Sequence, residues 1–281
     1  MGNLLIHSHT YLNKDKIGGV KFMVPCLVFD LETIPDVAGL RALYEPAEDL
    51  SDDEFVAQVL AERKEKTGSE FLPHHLQKVA VVGCVFRDDK GFRVKTLGDN
   101  DADEATMIRQ FFKIIDYYTP QLISWNGSGF DLPVLHYRSL IHGISASRYW
   151  DTGEENRDFK FNNYLSRYHS RHLDLMDVLA GYTGRANAPL DQLAKLCGFP
   201  GKLGMDGSQV WPAWQDGRAD EVRAYCETDV VNTWLMYCRF RLIKGELDEV
   251  AYQEEIELVR HSLAQIDKPH WREYLDTWDS M

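Results

Sequence analysis

The apolar run Val24 to Phe29 leads directly into Asp30-Leu31-Glu32-Thr33, with Pro35 close behind. A near-continuous apolar run of this length is what a strand buried on both faces looks like. Side chains on a strand alternate faces, so Asp30 and Glu32 point the same way. Two adjacent like charges repel unless something neutralises them. A hard divalent cation, which prefers oxygen ligands, does so. Pro35 cannot donate to a sheet ladder and marks the strand's end. On this motif alone, two solvated acids at a strand tip explain the residues at least as well.

The chain has 281 residues, 44% of them hydrophobic, enough for one large domain or two small ones. It lacks an apolar run long enough to span a membrane. Residues 1–20 lack the positive start, apolar middle and small-residue cleavage site of a signal peptide. The five cysteines are odd in number and form no Cys-x-x-Cys, against both a zinc site and a disulfide framework. These features predict a cytoplasmic protein with free thiols. A net charge of −13 argues against a protein that wraps duplex nucleic acid on a broad basic surface. It is compatible with an enzyme that grips a few nucleotides. Much of the acid excess lies in 45–54 and 246–257.

Strands are expected over Val24 to Phe29, Lys78 to Phe86, Phe92 to Leu97 and Gln121 to Trp125, the middle two joined as a hairpin by Asp88-Asp89-Lys90-Gly91. Helical spacing marks 52–66, 103–118, 132–142, 173–179, 190–196, 220–242 and 247–265. In the second of these, Ile108, Phe111, Phe112 and Ile115 share one face. Residues 160–172 fit neither pattern. The order predicts an α/β protein with a mixed sheet and helices on both faces, rather than an all-parallel sheet. We expect one domain over 1–281, with a core of about 22–243, a helical insertion at about 37–78 and a C-terminal helical extension at about 245–281.

Two further acids stand out. Asp131 follows Asn126-Gly127-Ser128-Gly129-Phe130 and precedes Leu132-Pro133. An N-cap aspartate with proline in the first helical turn would look the same, and one carboxylate can cap and bind metal at once. Tyr225 and Asp229 are an i,i+4 pair, so on a helix both reach one point. An ordinary amphipathic helix with a half-buried tyrosine would show this spacing too.

Taken together, Asp-x-Glu on a first strand, Asp after a Gly-rich loop and Tyr-x-x-x-Asp on a late helix resemble the DEDD exonuclease superfamily, in its tyrosine (DEDDy) branch. The alternative branch would place histidine at position 224, which is Ala224. Phe29 to Thr33, Asn126 through Phe130-Asp131-Leu132-Pro133 with Arg138, and Leu190 to Ala194 with Gly198 and Lys202 are similar to the proofreading domain of family B DNA polymerases. Stand-alone bacterial exonucleases related to that domain offer the nearest resemblance, over about 22–243. It implies a DnaQ-like, RNase H-like fold: a mixed five-stranded sheet flanked by helices on both faces. The stretch after 245 is not explained by it.

The resemblance implies a metal-dependent 3′-5′ exonuclease that hydrolyses phosphodiester bonds at single-stranded 3′ ends and releases nucleoside monophosphates, with DNA favoured and RNA possible. Asp30, Glu32, Asp131 and Asp229 would hold two divalent cations, Mg²⁺ or Mn²⁺, which stabilise the attacking and leaving oxygens together. Tyr225 would position the nucleophilic water, since a phenol of pKa about 10 is a poor base at neutral pH. Leu31, Thr33, Asn126 and Phe130 would contact the terminal nucleotide, Phe130 by stacking or else as a core residue. Lys202 could meet a phosphate or be a solvated lysine on a turn. Asp174 could support the site or start a helix; His74 and His75 read as surface loop residues. A nuclease-like module that binds ends or proteins without cutting is the alternative.

Overall fold

A computed structural model describes residues 24–44, 50–98 and 102–281. Residues 1–20, where no targeting pattern was found, lie outside the described residues, as do 45–49 of the acidic stretch. Strand β1 runs Cys26–Pro35, longer than its apolar run, and Pro35 is its last residue as expected. The insertion follows, with α1 (Val37–Leu43) and α2 (Asp52–Thr67), the latter opened by a Ser51/Glu54 capping box. Strands β2 (Gln77–Asp88) and β3 (Gly91–Thr96) form the expected hairpin, closed where Asp88 pairs with Gly91. Helix α3 (Glu104–Tyr118) leads to β4 (Gln121–Ser124), α4 (Asp131–His142) and α5 (Ser147–Trp150).

A three-residue strand, β5 (His172–Asp174), pairs with β4 and precedes α6 (Leu175–Leu179). Helix was expected from Leu173; here Leu173 and Asp174 are extended, because pairing with Ile123 and Ser124 outweighs local helical spacing. Helices α7 (Leu190–Leu196), α8 (Val210–Gln215), α9 (Ala219–Ile243), α10 (Glu249–Ala264) and α11 (Pro269–Asp279) complete the chain.

The sheet order is β3-β2-β1-β4-β5, with β2 antiparallel to its neighbours and β1, β4 and β5 parallel. This is the expected RNase H-like sheet. Alternation along β1 divides the interior. Leu27, Phe29 and Leu31 enter one core with Ile108, Phe111, Phe112 and Ile115 of α3 and Val134 and Leu135 of α4. Cys26 and Val28 enter the other, with Trp234 of α9, Val259 of α10 and Trp271, Tyr274 and Trp278 of α11. The C-terminal helices therefore share a core with the central strand. The insertion closes over a smaller cluster of Leu40, Phe55, Val56, Leu72 and Leu76. A bulge opposite Glu32/Thr33 leaves Ala80 of β2 without a partner on β1. Among the described residues no helix is long and apolar enough to cross a membrane.

Candidate active site

The parity that sends Phe29 and Leu31 into one core sends Asp30 and Glu32 toward α9. A cleft of about 450 Å³ opens there, lined by Asp30, Glu32, Asp131, Tyr225 and Asp229 with Leu31, Asn126, Phe130 and Lys202. Four distant segments thus meet: β1, the loop before α4, the loop after α7, and α9. Asp30, Glu32 and Cys226 bring donor atoms within 4.8 Å of one another. Asp131 and Asp229 line the same cleft outside that triangle.

Asp131 does not cap its helix. It is the first residue of α4, and its Oδ1 accepts from the Leu31 main-chain N–H at 2.9 Å. Helix α4 is thereby tied to the strand segment between the two β1 acids. Leu31 lines the cleft with its N–H engaged by Asp131, and the residue is only 4% exposed. Thr33 lies off the cleft lining and donates through Oγ1 to Gln77 Oε1. Asn126 is exposed at the cleft, in a left-handed conformation (φ 68°), and its carbonyl receives the Gly129 and Phe130 N–H groups.

Asp174 fulfils both roles read from the sequence. It caps α6 through the Asp177 N–H, and its two oxygens accept from Asn126 N and Ser128 N at 2.9 and 2.8 Å. It thus fixes the loop that delivers Asp131. Arg138 is not in the cleft. It is buried between Glu104 and Asp36, at 2.6 and 2.5 Å, and joins α4 to α3 and the end of β1. Phe130 is half-buried, with Phe71 and His74 rings 5.4 and 5.7 Å from its own. Phe71 is 55% exposed, so the insertion extends the aromatic surface at the cleft's edge. His74, expected as a surface loop residue, is also tied to the Gly129 carbonyl at 3.0 Å.

On α9, Tyr225 and Asp229 lie one turn apart and line the same cleft, as i,i+4 spacing places them. Lys202 is not a solvated turn lysine. Its Nζ donates to Tyr225 Oη and lies 3.4 Å from Asp229 Oδ2. Glycines at 201, 204 and 207 mark its loop in the sequence but not its target. Cys226 sits inside the Tyr-x-x-x-Asp motif, and nothing in the spacing distinguishes it from a packing residue. Its Sγ is 3.8 Å from Asp30 Oδ2, and it lies so close to β2 that a Cβ on Gly83 would come 2.7 Å from it.

The electrostatics are unbalanced. Burial, then the charges of Asp131 and Asp229, push Asp30 well above the usual carboxylate range. Burial, then Asp30 and Asp229, do the same to Glu32. Burial raises Asp131 to about 7, and raises Asp229 to about 6 against the opposing pull of Lys202. Burial and the neighbouring carboxylates push the Tyr225 phenol well up, keeping it protonated. Asp229 Oδ1 is buried without a hydrogen-bond partner. Clustered, underneutralised carboxylates with an unpaired oxygen fit a hard cation held by oxygen donors.

The family model described as a predicted 3′-5′ exonuclease related to the exonuclease domain of PolB matches residues 69–278. Asp30 and Glu32 precede that range, and α10 and all but the last residue of α11 fall within it, so the match reaches through the C-terminal extension. A DNA polymerase of Archaeoglobus fulgidus is 25% identical over 150 residues, covering 51% of this chain and 19% of the polymerase. The family B DNA polymerase of the hyperthermophilic archaeon Pyrobaculum calidifontis superposes with a TM-score of 0.48 at 15% identity, over 78% of this chain and 25% of that one. The match to the family model spans most of the chain, and the protein belongs to the family of predicted 3′-5′ exonucleases related to the exonuclease domain of PolB.

Proposed function

We propose that the protein is a metal-dependent 3′-5′ exonuclease acting on single-stranded ends, with DNA favoured over RNA. The convergence of Asp30, Glu32, Asp131, Tyr225 and Asp229 on one cleft carries this reading. The four carboxylates would hold divalent cations, Mg²⁺ or Mn²⁺. When bound, such ions stabilise charge on the attacking and leaving oxygens of a phosphodiester.

The chain's own groups supply orientation. Tyr225 stays protonated and acts as a hydrogen-bonding guide for the attacking water rather than as a base. The Lys202 ammonium holds the phenol oxygen in place and sets a positive charge beside Asp229. Asp131, anchored on the Leu31 N–H, faces Asp30. Phe130, extended by Phe71, offers an aromatic face on which unstacked bases rest with little sequence preference.

The test is degradation of end-labelled single-stranded DNA and RNA with Mg²⁺ or Mn²⁺, by wild type, Asp30→Ala and Tyr225→Phe. Shortening from the 3′ end is expected, nearly abolished in Asp30→Ala and reduced about tenfold in Tyr225→Phe, the worth of one hydrogen bond. Equal rates in all three would refute the assignment.

A further inference from the structure

The site depends on where Lys202 lies, and Lys202 sits on a loop. The residue before it, Gly201, is held at φ +70°, and a Cβ there would come 2.5 Å from Asp191 Oδ1. Both main-chain polar groups of Gly201 are bound by a single side chain. Asn232 Oδ1 accepts from Gly201 N at 3.3 Å, and Asn232 Nδ2 donates to Gly201 O at 2.9 Å. Asn232 lies on α9 three residues beyond Asp229 and is fully buried, where an unsatisfied amide is costly.

The remaining bond to that amide comes from the C-terminal helix. Tyr274 Oη, also fully buried, donates to Asn232 Oδ1 at 2.7 Å. It fixes which way the amide faces, because a flipped amide would set its NH₂ against both the phenol hydrogen and the Gly201 N–H. Helix α11 is itself fastened to α9 on the other side of Asp229. Lys268 Nζ donates to both oxygens of Glu227 at 2.8 and 2.9 Å, and His270 Nε2 lies 3.0 Å from the same carboxylate.

We propose that α11 positions Lys202 through the buried relay Tyr274–Asn232–Gly201, so that Tyr274 and Asn232 are positioning residues of the site. The C-terminal extension is then a working part of the active centre, acting from behind α9. The relay ends on Lys202, whose N–H is caught by Asp191 Oδ1 at 2.7 Å and whose Nζ meets Tyr225 and Asp229. The inference rests on the exonuclease reading above, for which Asp30→Ala serves as the control.

The test is Tyr274→Phe, which removes one oxygen, in wild-type and Lys202→Ala backgrounds, with Asn232→Ser as a second variant should the first fail to melt cooperatively. Steady-state rates on a single-stranded oligonucleotide are measured with amide hydrogen exchange and melting curves. The expected result is a kcat about tenfold lower with KM little changed, the loss of one buried hydrogen bond. Exchange should accelerate at residues 201–202 without a matching fall in global stability. In the Lys202→Ala background the same change should have no further effect on kcat. An unchanged kcat, an equal fractional loss in both backgrounds, or unaltered exchange at 201–202 would overturn the relay. An inactive wild type, or an active Asp30→Ala, would instead overturn the exonuclease reading and leave the exchange result to judge the relay alone.

Discussion

The Leu31 main-chain N–H donates to Asp131 Oδ1 at 2.9 Å, joining residues 100 positions apart in the sequence. Leu31 is the residue between the two β1 acids, so this bond sets the distance between β1 and α4 at the cleft. It also separates the charge of Asp131 from its acceptor role. Asp131→Asn keeps an oxygen for Leu31 but removes the charge, and should fold with a melting midpoint near wild type while losing on the order of a hundredfold in rate. Asp131→Ala removes both, and should also lose about 1–3 kcal/mol of stability, the cost of leaving the buried Leu31 N–H without an acceptor. Nuclease assays and melting curves on the two variants separate these effects; equal stability in both would contradict the structural role.

Without ions, the carboxylate cluster should make the protein less stable as pH rises. Burial raises Asp131 to about 7 and Asp229 to about 6, against 3.8 for the unperturbed group. A carboxyl held above its unfolded value favours the fold when protonated. That contribution is complete below pH about 4 and is lost as pH climbs through 6 to 7. In chelator, the melting midpoint is therefore expected to fall between pH 5 and 8. Mg²⁺ or Mn²⁺ at about a hundred times the dissociation constant should restore about 2.7 kcal/mol. A midpoint that rises over this window in chelator would be inconsistent with the cluster.

Part of this arrangement was legible in the sequence. The apolar run ending at Phe29 and the period of 2 place Asp30 and Glu32 on one face, and i,i+4 spacing places Tyr225 and Asp229 on one side of α9. Other parts were not, because they depend on long-range partners. Asp131 has the local setting of an N-cap, and only the folded sheet brings Leu31 to it. The three residues of β5 are too few for their alternation to outweigh the helical spacing that follows. Lys202 lies in a loop whose path is set by Asn232 and Asp191. Helix α11 could have been found: Pro269 stands at its first position, and Trp271, Tyr274 and Trp278 share one face.

The aromatic shelf should affect binding rather than chemistry. Phe71 comes from the insertion and lies against Phe130 with more than half its surface exposed. Removing one stacking face costs about 1–3 kcal/mol per base, so Phe71→Ala should raise KM on single-stranded oligonucleotides about fivefold to a hundredfold. kcat should stay close to wild type. Steady-state kinetics on oligonucleotides of several base compositions would check this, with a fall in kcat at constant KM as the opposing result.

The central claim is that four carboxylates from distant parts of the chain hold divalent cations together. Calorimetric titration of Mn²⁺ into wild type, Asp30→Ala and Asp229→Ala at pH 6 tests it most directly. Saturable binding is expected in wild type, with protons released as the raised carboxyls ionise, and much weaker binding in both variants. Binding of equal strength in all three proteins, or none in wild type, would contradict the account.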